Sequence, residues 1–198
     1  DAPLAATSFD LDGQLAEAGF LDVAADPDLG TVTAAVIVER LARLPYATEA
    51  AISAFFRPLL GEVDGPICIL DGTRTPRMVR FLTEGATVLV VDGESVSKFT
   101  ATADQLREEP EALYGYPMAT LLAMPSDRES CDFTGEEANT RWRAALCAEA
   151  AGLLMAALAS TVAHVSDREQ FGRKLATFQA LRHRLAEAQV RTNGTYWL

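Results

Sequence analysis

The stretch "SDREQFGRKLATFQALRHRLAEA", Ser166 to Ala188, decides how the whole chain is read. It joins two Ala/Leu-rich helical patterns through an Arg–x–Gln–Phe–Gly corner, Arg168 to Gly172. Beyond the corner, Leu175, Phe178, Leu181 or Arg182, and Leu185 recur at i, i+3, i+4 spacing, which predicts a second helix with one apolar face. An arginine at a helix end can reach past the backbone and grip phosphate oxygens in a two-pronged contact. Free N–H groups at the start of the following helix favour an anion as well. Phe171 could cover a flat ring, and Gln179 offers both a donor and an acceptor. The same residues also fit a plain interhelical turn, with Phe171 packed in the core and Arg168 solvated.

Working outward, the helix before the corner opens with a Thr134 to Glu137 capping box and acidic residues that suit the helix dipole. Its apolar run is interrupted by Glu149 and is mostly alanine, so it predicts a buried helix and not a membrane span. From Gly65 to Ser130 the signal changes. "PICIL", "ATVLVVDG" and "SVSKFTA" are short β-branched runs between turn pairs, as strands require. "TPRMVRFL" stays open, and "ADQLREEPEALYGYPMATL" reads as a loop or an excursion. Three helices are predicted between Phe9 and Leu60. The first has Phe9, Leu11, Leu15 and Ala18 near one face and Gly19 as its stop. The second starts behind a Thr31 cap and ends at Pro45, and the third is closed by Pro58. The order helices, strands, helices gives an α+β chain. Its expected divisions are 1–62, 63–133 and 134–198.

Composition narrows the partners. The chain of 198 residues is 49% hydrophobic and 23% charged, an ordinary balance for a globular protein. A net charge of −11 argues against nucleic acid, whose binding rests on Lys/Arg clusters. A few local arginines can still hold one anionic cofactor. Three cysteines without C-x-x-C spacing imply neither a zinc site nor a disulfide framework. No leader pattern stands at the start, so a cytoplasmic protein is expected. His164 and His183, the two histidines, fall on helical patterns. No H-E-x-x-H, phosphate loop or G-x-S-x-G is present. "DGTRTPR" and "VVDGES" read as polar turns.

The corner and its surroundings resemble the acyl-CoA dehydrogenase family. That family carries an Arg-x-Gln/Thr-Phe-Gly turn, a Phe/His-Gln pair and then Leu-Ala-Asp/Glu. This chain has Arg168, Gln170, Phe171 and Gly172, then Phe178-Gln179, then Leu185-Ala186-Glu187. Arg143 and Gly152 on the preceding helix are similar in position, and "LAEAGFLDV" with "AAVIVERLAR" is similar to the family's opening helices. The resemblance implies an N-terminal helical domain, a short middle β domain and the start of a C-terminal helical bundle. It implies FAD at a subunit interface, with Arg168 on its diphosphate and Gln170, Phe171 and Gln179 beside it. It implies an acyl-CoA substrate desaturated between Cα and Cβ, and a second subunit or homodimer mate.

The departures are as informative. The middle segment lacks the family's "TEPxAGSD"-like stretch, and the usual catalytic Glu belongs downstream of Leu198. Some members carry the base one residue before the Arg matched by Arg143, where this chain has Trp142. An indole has no basic site for a proton. Glu136, Glu137 and Glu149 are near, but none fills either position. No catalytic or metal residue is therefore assigned. The chain reads as a piece of an ordinary dehydrogenase or, preferably, as a reduced, non-catalytic subunit. Such subunits occur in heteromeric enzymes acting on steroid-derived acyl-CoA. The rival is a cofactor-free helical scaffold with the same fold.

Overall fold

A computed structural model describes residues 9–61, 63–74, 78–109 and 115–197. Three helices come first: α1 (Phe9–Glu17), α2 (Gly30–Leu41) and α3 (Ala50–Leu60). Seven strands follow: β1 (Ile67–Asp71), β2 (Val79–Arg80), β3 (Thr87–Asp92), β4 (Ser95–Thr100), β5 (Leu106–Glu108), β6 (Met118–Leu121) and β7 (Glu129–Ser130). The chain then runs through α4 (Gly135–Asp167), a two-stranded hairpin of β8 (Glu169–Gln170) and β9 (Arg173–Lys174), and α5 (Gln179–Trp197).

The strands form two sheets. One has the order β1-β3-β4-β7, with β1 parallel to β3 and the other pairs antiparallel. The other has the order β2-β6-β5, antiparallel throughout. Val88 to Val91 of β3 are buried without interruption, because both faces of the first sheet are covered. Successive residues point to opposite faces. Ile67, Ile69, Leu89 and Val91 join a core with Phe55 and Phe56 of α3 and Val38 of α2. Cys68, Leu70, Val88 and Val90 join a second core with Phe81, Ala119 and Leu121 beneath the smaller sheet. The result is helices, sheet, sheet, in layers. A fully buried side chain such as Phe56 contributes about 2–3 kcal/mol to this arrangement.

Helix α4 begins where the sequence predicts. Thr134 accepts a hydrogen bond from the Glu137 N–H at 3.2 Å, and the Glu137 carboxylate accepts from the Thr134 N–H at 2.9 Å. The Thr134 N–H and hydroxyl, both donating to that carboxylate, hold Glu137 below the usual carboxylate range. Thr134→Ala should lower unfolding stability by about 1 kcal/mol, read by urea denaturation. Gly135 lets this helix start rest against the β3–β4 turn, since a Cβ there would meet the Gly93 carbonyl oxygen at 1.9 Å. By length and composition α4 could cross a membrane. Contrary to the buried helix the sequence predicts, 17% of its most apolar stretch is buried; it packs on α2, α3 and α5, and Glu149 in its middle is ion-paired.

Several helix ends differ from the sequence reading. Thr31 lies inside α2 and caps nothing. The turn before it is closed by the Asp26 carboxylate, which accepts from the Asp28 and Leu29 N–H groups at 2.8 and 3.2 Å. Gly30 then enters the helix at φ +66°. The helix stops at Leu41, ahead of Pro45. Pro58 sits within α3, near its end, where it leaves the Ala54 carbonyl without its i+4 N–H donor but does not stop the helix. The predicted place of Phe9 on the α1 face lies outside the described side chains. "TPRMVRFL" supplies β2, and "ADQLREEPEALYGYPMATL" supplies β5 and β6.

Candidate functional site

The corner after α4 is a β-hairpin. Gln170 pairs with Arg173 and Glu169 with Lys174, leaving Phe171-Gly172 as a two-residue loop. Both loop residues have positive φ, +55° and +73°, as a type I′ turn demands. Glycine meets that demand freely, whereas a phenylalanine there carries strain of about 1–2 kcal/mol. The ring is not stored in the core, as the plain-turn reading would have it, but is 90% exposed. Its strained backbone holds an aromatic face in solvent, a placement that packing does not explain.

Arg168 is the C-cap of α4, donating its N–H to the His164 carbonyl at 2.9 Å. Its side chain is exposed and makes no hydrogen bond or ion pair among the described residues. Lys174 donates to the Asp167 carbonyl at 3.0 Å and ties the hairpin to the helix end. Phe178 meets Phe171 edge-on at 6.3 Å, and the Arg173 guanidinium lies 4.0 Å from the Phe178 ring centroid. Arg173 and Phe178 thus belong to the site as well, a pairing of residues five apart that helical spacing did not reveal. Gln179 starts α5, later than the helix predicted to begin directly after Gly172, because a 3-10 turn over Leu175–Thr177 comes between. Its amide contacts His183 Nε2 at 3.4 Å. Gln170 and Gln179 are both exposed.

The donor set suits an adenine dinucleotide. A guanidinium is free for phosphate, two amides can read ribose or base edges, and two exposed or half-exposed rings stand beside them. The flanking charges agree. Arg168, Arg173, Lys174, Arg182, Arg184 and Arg191 face only Glu169 and Glu187 over 168–191, a local surplus of +4 in a chain of −11.

Trp142 is half-buried and packs against the core between the helices and the first sheet. Glu137 is used by the cap, and Glu149 grips Arg80 with two bonds of 2.7 and 2.5 Å. Glu136 lies at the rim of a cavity of about 830 Å³ between α2, α4 and the end of α5. Among the described residues, no group of three His, Cys, Asp or Glu could hold a metal ion.

Residues 137–198 match the family model "Acyl-CoA dehydrogenase, C-terminal domain". The match contains the hairpin, Arg168 and Gln179 together. In sequence and in fold the chain is similar to the acyl-CoA dehydrogenase family. It is 30% identical over 131 residues to acyl-CoA dehydrogenase FadE34 of Mycobacterium tuberculosis, covering 66% of this chain and 18% of that protein. It is 29% identical over 175 residues to acyl-CoA dehydrogenase IpdE2 of Mycolicibacterium smegmatis, covering 80% and 52%. Among solved structures, the Tcur3481-Tcur3483 steroid ACAD superposes with a TM-score of 0.62 at 25% identity, covering 96% of this chain and 66% of that one. The chain spans about half or less of the length of these curated relatives. Its α+β layering is the acyl-CoA dehydrogenase fold.

Proposed function

We propose that this chain is a non-catalytic or incomplete subunit of a FAD-dependent acyl-CoA dehydrogenase, lending the 168–179 hairpin and helix start to a flavin shared with a second subunit. The observation that carries the reading is the hairpin tip. A strained, solvent-facing Phe171 stands beside an Arg168 whose side chain has no hydrogen-bond or ion-pair partner among the described residues. Arg168 would hold the diphosphate, and Gln170, Phe171 and Gln179 the adenosine side. When bound, the flavin supplies the acceptor for a hydride leaving Cβ of an acyl-CoA thioester. This chain's residues bind and orient, and the base that takes the Cα proton comes from elsewhere in the assembly. Trp142 at one family base position fits that division of labour. The steroid ACAD likeness favours a bulky, steroid-derived acyl group and a heteromeric, cytoplasmic enzyme.

Arg168→Ala tests the reading. The chain would be co-produced with a full-length acyl-CoA dehydrogenase subunit with which it co-purifies. The variant should then bind FAD about 30-fold more weakly, the worth of a charged hydrogen-bonded contact, with assembly size unchanged. Unchanged flavin absorbance in an intact assembly would favour the cofactor-free scaffold.

A further inference from the structure

Independently of any cofactor, one buried carboxyl joins three separate parts of the chain. Glu49 is the N-cap of α3 and is 4% exposed. Its Oε1 accepts from the Ser53 N–H at 3.1 Å, and its Oε2 accepts from the Ser53 hydroxyl and from the Ile67 N–H, the latter at 3.1 Å. Its own N–H donates to the Asp12 carboxylate of α1 at 3.2 Å. One residue thus fastens α1, the start of α3 and the first residue of β1.

No cation is paired with it among the described residues. The charged and titratable groups that face it are Asp12 from α1, Cys68 from β1 and Arg80 from β2. Arg80 is already held by Glu149. Of the arginines that touch α3, Arg57 donates to the carbonyls of Val63 and Gly65, and Arg141 to that of Phe55. On α2, Glu39 is closed on Arg43. A buried carboxylate with no counter-ion and a second carboxylate alongside is costly. The neutral acid avoids that cost. Of its three donors, only the Ser53 hydroxyl can turn round, so the proton has one place to sit, between Oε2 and Ser53 Oγ.

We infer that Glu49 is a proton-operated joint between the helical layer and the first sheet, closed when the carboxyl is protonated and loosened when it ionises. Burial pushes its pKa up to about 8, against the pull of the Ser53 and Ile67 hydrogen bonds, with Asp12 adding to the rise. The sign follows from linkage. A folded value above the ordinary 4.5 gives a stability contribution that is complete below 4.5 and lost as pH climbs through about 8. Mild alkali, not acid, should open this joint.

Side-chain carboxyl ¹³C NMR on the full chain reads the joint directly. The Glu49 resonance should titrate with a midpoint near 8. Asp12→Asn, which removes the neighbouring charge, should lower that midpoint. Hydrogen exchange at the Ser53 and Ile67 amides, corrected for intrinsic rate, should lose about tenfold protection between about pH 7 and about pH 9. Glu49→Gln should abolish that change, and if it fails to fold, the wild type and Asp12→Asn decide. A Glu49 midpoint in the ordinary carboxylate range, or protection indifferent to pH at both amides, overturns the inference.

Discussion

Gly152→Ala should destabilise the protein by about 3 kcal/mol, as read by urea denaturation, although the same change in a free helix stabilises by about 1 kcal/mol. The reason is the crossing of α4 over α2. A Cβ at residue 152 would lie 2.2 Å from the Glu39 carbonyl oxygen and 2.8 Å from the Ala42 Cβ. The first of these is backbone, which cannot swing aside, so the two helices would have to part. The crossing is among the most extensive contacts in the fold, and it anchors the 33-residue helix whose end carries the hairpin. Gly13→Ala in α1 is the control, since nothing lies within 4 Å of the added carbon. That variant should be neutral or slightly stabilising. Equal effects at the two positions would mean that helix propensity, not the crossing, governs Gly152.

The second large effect concerns Glu149→Ala, expected to cost about 2 kcal/mol by the same measurement. Arg80 and Glu149 join the smaller sheet to α4 with side chains 31% and 15% exposed. That places the pair between the exposed limit of about 0–1 kcal/mol and the buried limit of about 3–5 kcal/mol. Removing the acid strands a guanidinium enclosed by Phe81 and Tyr116, whose ring centroids are 5.3 and 5.1 Å away. Arg80 Nε already lacks a hydrogen-bond partner. The backbone on either side is strained, with Met78 at φ +51° and Phe81 at +58°. Such outlay at both flanks of a two-residue strand indicates that the Arg80 position is tightly specified. A double-mutant cycle with Arg80→Met should return a coupling of about 1–2 kcal/mol. Additive single effects would show that the two side chains act separately.

Local signals were legible in the sequence wherever one segment settles its own structure. The Thr134 capping box needs only four consecutive residues, and the β-branched runs of β1, β3 and β4 need only their flanking turns. Thr31 misled because a better local device, the Asp26 side chain, lay five residues upstream. Pro58 misled because the helix continues for two residues past it in spite of the lost N–H. The site was half legible. The motif marked Arg168 and Phe171 as candidates, but the hairpin geometry came from a positive φ at a phenylalanine, which no propensity suggests. Arg80 and Glu49 were out of reach for a different reason. Their meaning depends on residues 69 and 18 positions away, Glu149 and Ile67, and a single sequence does not announce such pairings. The exposed apolar side chains of the last two helices are unevenly shared. Val190 and Trp197 of α5 are exposed, but Leu146, Leu153, Leu154 and Val162 put the larger share on α4.

The hairpin at residues 169–174 also bears on how quickly and how tightly anything can settle there. Two ladder pairs and a two-residue turn define its backbone before anything arrives. Ordering a loose loop of that length at the moment of contact would cost on the order of 1–2 kcal/mol for each backbone residue. Here that entropy is surrendered during folding. An arriving ligand or neighbouring subunit meets a rigid projection and owes nothing for its shape, so encounters need no waiting for a rare loop conformation.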